Sequence, residues 1–209
     1  MKLFFVWLFL LSNIALGQNE FWGTKQYTFY TDLHLYSIYM DADMHILPTT
    51  RQQVLTENAY GLGDVFEVKN AEKNQCANMQ RDYDKYKVLF TGRYVNGNHE
   101  MTRDIPNLII DGHILLTHGD YAVDGTAKAN QFRDSGVRCK GSSFIQKAIA
   151  NNHTPISATD AQNLATYAQH YNGIDTIITG HRHVEVKFDQ IVNGIRVISL
   201  PRGKNLLNL

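Results

Sequence analysis

Apolar residues along this chain come in short runs, and most runs stop at a glycine or at a cluster of Asp, Asn and His. Gln26 to Thr31 (QYTFYT) is aromatic and β-branched, which predicts a strand ending at Asp32-Leu33-His34. Ala59 to Leu62 predicts a short strand running into Gly63-Asp64. Val88 to Val95 predicts another, interrupted at Gly92 and running into Asn96-Gly97-Asn98-His99-Glu100. Asn107 to Thr117 (NLIIDGHILLT) is two apolar runs around Asp111-Gly112, a hairpin pattern that leads into His118. Ile174 to Thr179 predicts a buried strand ending at Gly180-His181-Arg182-His183, and Val184 to Leu200 predicts a second hairpin around Asn193-Gly194. Helices are expected over Thr49–Asn58, Asn70–Lys87, Ser142–Asn151 and Ser157–Tyr171, the last with Ser157 or Thr159 as cap and Gly173 just past its end. With no internal repeat and no interdomain linker, this order predicts one α/β (or α+β) sandwich with mixed sheets.

Composition narrows the partners. Of 209 residues 44% are apolar, enough for a packed core, and 20 basic residues balance 20 acidic ones, so no broad basic surface for nucleic acid is expected. The two cysteines, Cys76 and Cys139, have no CxxC partner and make no zinc knuckle, but one disulfide is possible in an exported chain. Residues 1–17 carry Lys2, an apolar run from Leu3 to Leu11 and Ala15-Leu16-Gly17 before a cleavage point. They are expected to be a signal peptide, with a single domain over 18–209. The run is shorter than the ~20 residues of a membrane span. Export to a periplasm or the outside follows if the leader is real, and a cytoplasmic location otherwise; membrane contact is expected only through this segment.

The stops carry the chemistry. Asp32 and His34, Asp64, Asn98 and His99, His118, and His181 and His183 all follow strand-like runs. Loops at one edge of an α/β sheet converge on a crevice. The i, i+2 spacing of Asp32/His34 and His181/His183 can turn both side chains toward one side. Gly63, Gly97 and Gly180, just before ligand-type residues, permit sharp turns and close backbone approach. Oxygen and imidazole donors without thiolates suit a divalent cation such as manganese, zinc, iron or nickel.

Taken in order, Asp32-x-His34, Gly63-Asp64, Gly97-Asn98-His99-Glu100, His118 and Gly180-His181-x-His183 resemble the motif set of the calcineurin-like metallophosphoesterase superfamily. The likeness runs over residues 26 to 203 and includes the closing segment GIRVISLPRG, Gly194 to Gly203. The resemblance implies a four-layer α/β/β/α sandwich with two divalent metal ions at one edge. Asp32, His34 and His183 would hold the first ion, Asn98, His118 and His181 the second, and Asp64 would bridge them. It implies hydrolysis of a phosphomonoester, phosphodiester or pyrophosphate bond in a small phosphorylated substrate by metal-bound hydroxide, with His99 beside the leaving oxygen. Glu100 would either orient His99 or be solvated. Arg103 and Arg182, next to motif residues, are candidates for phosphate oxygens, and Asp41, Asp43 and His45 are either a solvated loop or a substrate loop. Protein Ser/Thr phosphatases of the superfamily share GNHE but follow GD with VDRG, absent here. TDLHL with GDVFE is instead similar to the UDP-2,3-diacylglucosamine pyrophosphatase-like branch, which usually carries Arg where His99 stands. The alternatives are that branch, a nuclease, or a non-catalytic metal-binding scaffold.

Overall fold

The structure is a computed structural model that describes residues 24–36, 58–67, 75–100, 105–133 and 155–209. The expected leader (1–17), the expected helix over 142–151, nearly all of that over 49–58, and Arg103, Asp41, Asp43, His45 and Cys139 lie outside those residues. Among the described residues no helix is long and apolar enough to cross a membrane.

Among the described residues, nine strands form two mixed sheets. The first sheet contains β1 (Gln26–Thr31), β2 (Tyr60–Leu62), β3 (Tyr94–Val95) and β9 (Gly203–Asn208), in the order β3-β2-β1-β9. Its strands β1, β2 and β3 are parallel and β9 runs antiparallel to β1. The second contains β4 (Asn107–Ile110), β5 (Ile114–Thr117), β6 (Thr176–Thr179), β7 (Phe188–Val192) and β8 (Ile195–Ser199). Its order is β4-β5-β6-β8-β7, with β5, β6 and β8 parallel and a hairpin at each edge. Both hairpins turn where expected. Asp111 and Gly112 have φ of 50° and 78°, and Asn193 and Gly194 have 51° and 82°, the two successive positive values of a type I′ turn.

Pleat alternation sorts side chains between layers. Phe29, Leu62 and Val95 of the first sheet pack against Ile114, Leu116, Ile178 and Ile198 of the second. Their neighbours Leu115, Ile177 and Val197 face the opposite way, against Leu164, Ala165 and Ala168 of helix α4 (Ala158–Gln169). Strands buried on both faces read as unbroken apolar runs, which is why β5 and β6 were visible in the sequence. On the far side of the first sheet, Tyr30 and Tyr94 pack against Met79, Tyr83 and Tyr86 of helix α1 (Cys76–Leu89). The result is helix, sheet, sheet, helix: the expected four layers. Helix α4 begins at Ser157, whose hydroxyl accepts from the Asp160 N–H while Asp160 accepts from the Ser157 N–H, a complete capping box.

Three departures have physical causes. The run Val88–Val95 is not one strand: α1 continues to Leu89, and Thr91, Gly92 and Arg93 make a turn, leaving only Tyr94–Val95 extended. Met79, Tyr83, Tyr86 and Phe90 form a stripe at helical spacing, so the apolar triplet belongs to a period near 3.6 rather than 2. The last strand, β9, was not expected; its order comes from six-residue pairing with β1. Two short helices, α2 (Asp120–Val123) and α3 (Thr126–Arg133), follow His118 where no element was expected. Cys76, at the start of α1, is disulfide-bonded.

Candidate metal centre

Parallel strands end at the same edge, and here that edge carries the polar stops. Beyond the last rungs of β1 and β2 the two chains stay in step: the His34 N–H donates to the Asp64 carbonyl at 2.9 Å and the Leu35 N–H to the Val65 carbonyl at 3.0 Å. Asp32, His34, Asp64, His181 and His183 all have positive φ, between 46° and 69°. Of the other three non-glycine residues in that region among those described, two are the hairpin residues Asp111 and Asn193. An L-residue there costs about 1–2 kcal/mol, and such strain concentrates where geometry serves function.

Two groups of donor atoms correspond to the expected ligand sets, and a third, His34, Glu67 and His99, adjoins them. In the first, His34 Nε2 lies 3.1 Å from His183 Nε2, which lies 3.4 Å from Asp32 Oδ1. In the second, His118 Nε2 lies 2.9 Å from Asn98 Oδ1, 3.1 Å from Asp64 Oδ2 and 3.2 Å from His181 Nδ1. The groups adjoin, because donor atoms of Asp32, Asp64 and His118 also fall within 4.8 Å of one another. All seven residues expected as ligands are therefore brought together.

The outer contacts fix which nitrogen of each ring faces inward. His34 Nδ1 sits 3.0 Å from Glu67 Oε2, His118 Nδ1 sits 2.9 Å from the Leu62 carbonyl, and His181 Nε2 sits 3.0 Å from Asp124 Oδ2. Each ring thus spends one nitrogen on an outer acceptor and turns the other inward, the arrangement typical of metal-binding histidines. Asp32 is held by its own backbone surroundings: Oδ2 accepts from the Thr31 hydroxyl and the His181 N–H, while Oδ1 is buried with no hydrogen-bond donor. An orphaned buried carboxylate oxygen facing imidazole nitrogens suits a cation. Electrostatics agree. Burial opposes charge on Asp32 and Asp64, yet the neighbouring histidines, His183 for Asp32 and His118 for Asp64 foremost, hold both carboxyls well below the usual range. Burial opposes charge on His118 as well, but Asp64 and Asp32 push its ring up to about 10. Burial lowers His34, which keeps its inward lone pair available. With protein groups alone, protons on histidine supply the positive charge these carboxylates demand.

His99 lies at the mouth, its side chain 18% exposed. Its N–H donates to Asp64 Oδ1 at 2.7 Å, and its Nδ1 is 2.8 Å from Glu67 Oε1. Burial alone would raise the Glu67 carboxyl, but the charge of His99 and the hydrogen bonds from both histidines hold it down to about 2. Glu67 therefore does what Glu100 was expected to do. Glu100 is fully buried and neither orients His99 nor meets solvent; its oxygens accept the N–H groups of Val65, Phe66 and Gly97, tying the third ligand loop to the second. With both oxygens engaged by three backbone donors, this carboxylate is committed to the loops. Arg182, a phosphate candidate, donates to Asp160 at 3.0 Å and lies 3.8 Å from Asp124, bracing the ligand loop against the start of α4. Glu67 and Asp124 were missed as functional residues. Glu67 was findable, as the acid of GDVFE three residues past a ligand; Asp124, 57 positions from His181, left no local signal.

Gly97 and Gly180 are explained by close approach. A Cβ on Gly97 would stand 2.0 Å from Asp64 Oδ1, and one on Gly180 would stand 1.9 Å from the Thr31 hydroxyl and 2.4 Å from Asp32 Oδ2. Gly97→Ala should therefore displace Asp64 and lower bound metal well below that of the parent, while far-ultraviolet circular dichroism keeps its shape. Elemental analysis checks this; full metal occupancy would count against it.

The class these features define is an α/β protein of two mixed sheets with a candidate divalent-metal centre at one sheet edge. No family model matches the chain, and no characterised protein matches it by sequence. Among solved structures, a dimetal phosphatase from Danio rerio aligns at 12% identity and TM-score 0.44, covering 90% of this chain and 93% of its own. A single-substitution variant of Vps29 from Entamoeba histolytica aligns at 16% identity and TM-score 0.41, covering 85% of this chain and 74% of its own. Vacuolar protein sorting 29 from Cryptosporidium parvum aligns at 14% identity and TM-score 0.41, covering 86% and 75%.

Proposed function

We propose that the chain is a binuclear metal-dependent phosphoesterase of the calcineurin-like kind, acting on a small phosphorylated substrate. One observation carries the reading: two adjoining groups of inward-facing oxygen and nitrogen atoms, built from Asp32, His34 and His183 and from Asn98, His118 and His181, with Asp64 beside both. When bound, two divalent cations would supply Lewis-acid polarisation of the phosphoryl group and a nucleophile at neutral pH. The protein's own work is positioning. Glu67 holds Nδ1 of both His34 and His99, so one carboxylate sets the aim of a ligand and of the acid. His99 would exchange its proton with the leaving oxygen through Nε2. Arg182 and Asp124 brace His181 from outside.

The test is a panel of nitrophenyl phosphate, bis-nitrophenyl phosphate, nucleotides and UDP-sugar lipids, run with manganese, zinc, iron and nickel and again with chelator. Turnover that needs a divalent cation supports the reading; no turnover of any ester with two ions bound would sink it. TDLHL and GDVFE keep a UDP-2,3-diacylglucosamine pyrophosphatase-like substrate as the alternative within this class, and the lipid arm of the panel decides that point. Export is proposed from residues 1–17 and gains support from the disulfide at Cys76, a state of thiols in oxidising compartments. Mass spectrometry of the native N-terminus should find Gln18 first; an intact Met1 would refute cleavage.

A further inference from the structure

We propose that Arg202 binds the substrate's phosphate, and that its two-pronged fork selects phosphomonoesters over diesters; the substrate half of this rests on the phosphoesterase reading above. The fold delivers Arg202 to the site. The link from β8 to β9 crosses from the second sheet to the first at the ligand edge, and the register Thr31↔Gly203 puts Arg202 opposite Asp32. Arg202 is half-buried, and its Nε donates to the Asp32 backbone carbonyl at 3.0 Å. That bond anchors the guanidinium at a ligand residue without neutralising it. The terminal nitrogens have no hydrogen-bond acceptor among the described residues, and the group lies near enough to feel the charges of Asp32, Asp64 and Glu67. With cations bound, those carboxylates are engaged, and the arginine charge faces whatever anion enters.

The contrast with Arg182 is decisive. Both arginines adjoin ligand residues, but Arg182 is already paired with Asp160 and Asp124. Among the described residues, Arg202 has a carbonyl as its anchor and no carboxylate partner in an ion pair. A planar guanidinium presents two parallel N–H groups matched to two oxygens of one phosphoryl group. A monoester has three non-bridging oxygens and up to two negative charges, a diester two oxygens and one charge. The fork therefore adds most for the monoester dianion and for its product, inorganic phosphate.

The experiment titrates inorganic phosphate by calorimetry into metal-loaded wild type, Arg202→Ala, Arg202→Lys and Arg182→Ala, with metal content measured on the same samples. Arg202→Ala should keep its metal and bind phosphate about 10- to 100-fold more weakly, the loss of a charge-assisted contact. Arg202→Lys should recover part of this, since charge returns without the fork, and Arg182→Ala should change phosphate affinity only as far as its measured metal content falls. KM for nitrophenyl phosphate should rise with the phosphate Kd in Arg202→Ala, while bis-nitrophenyl phosphate changes little. Wild-type phosphate affinity in metal-loaded Arg202→Ala overturns the proposal. Metal loss in both Arg202 variants also overturns it, by making the residue a structural anchor for Asp32. A metal-loaded wild type that hydrolyses no ester, yet loses phosphate on Arg202→Ala, sinks the phosphoesterase reading and leaves the anion site standing.

Discussion

Asp64→Asn should remove bound metal and turnover together. Asparagine is nearly isosteric, and its side-chain oxygen can still accept the His99 N–H now held by Asp64 Oδ1 at 2.7 Å. The loop should keep its course while the site loses one buried negative charge beside His118 and the oxygen 3.1 Å from His118 Nε2. Removing an outer partner of a metal ligand costs about 10- to 100-fold in affinity, and removing a residue that touches both donor groups should cost more. Adding metal should raise the melting temperature of wild type, by mass action, and leave that of Asp64→Asn unchanged. A variant with two ions and wild-type turnover would remove Asp64 from the centre. The same charges set a pH dependence. His118 is raised to about 10 in the protein without cations, so at neutral pH a cation must displace its proton. The stability that this proton contributes is fully present below the ring's ordinary pKa and is lost as pH rises through about 10. Metal affinity follows the opposite course, climbing by about tenfold per pH unit for each proton displaced. Affinity that is flat between pH 6 and pH 9 would contradict this.

His99→Ala should separate chemistry from metal binding. None of the contacts within the two donor groups uses the His99 ring, so the ions should stay. Turnover should fall by about 10²–10⁴, the range for one acid–base group, and the deficit should shrink for esters whose leaving group departs without a proton, such as nitrophenol. Glu67→Gln should behave differently, because Glu67 serves two rings. It should lower kcat through His99 and weaken metal binding by about 10- to 100-fold through His34. In the double variant the kcat losses should not add, since Glu67 acts on proton transfer only through His99. Additive losses in kcat would show that Glu67 works by another route. Glu100→Gln is the control: its carboxylate meets backbone N–H groups only, so its loss should appear in stability before it appears in the leaving-group dependence.

The residues that gather at the sheet edge were legible because each lies within a few residues of the end of an apolar run. Strand ends are easy to see when a strand is buried on both faces, as with Ile114–Thr117 and Thr176–Thr179. The hairpins were legible because Asp-Gly and Asn-Gly tolerate two successive positive φ values. The boundary at Val88–Phe90 was not, since three apolar residues in a row fit either period; packing of Tyr83 and Tyr86 under the sheet resolved it toward helix. Strand β9 has only Leu207 buried, near its end, too little pattern to declare a strand without β1 beside it.

The chain by itself determined the fold class and which residue types gather at strand ends, because alternation, turn chemistry and ligand spacing are local properties. Only the tertiary structure decided how those residues divide the work. Glu67 rather than Glu100 holds His99, Asp124 holds His181, and among the described residues Arg202 rather than Arg182 keeps its terminal nitrogens without a carboxylate. Each of these is a contest between partners brought together from distant positions. Such contests are settled by a few tenths of an ångström and by which competing donor or acceptor is already satisfied, and neither quantity is written along the chain.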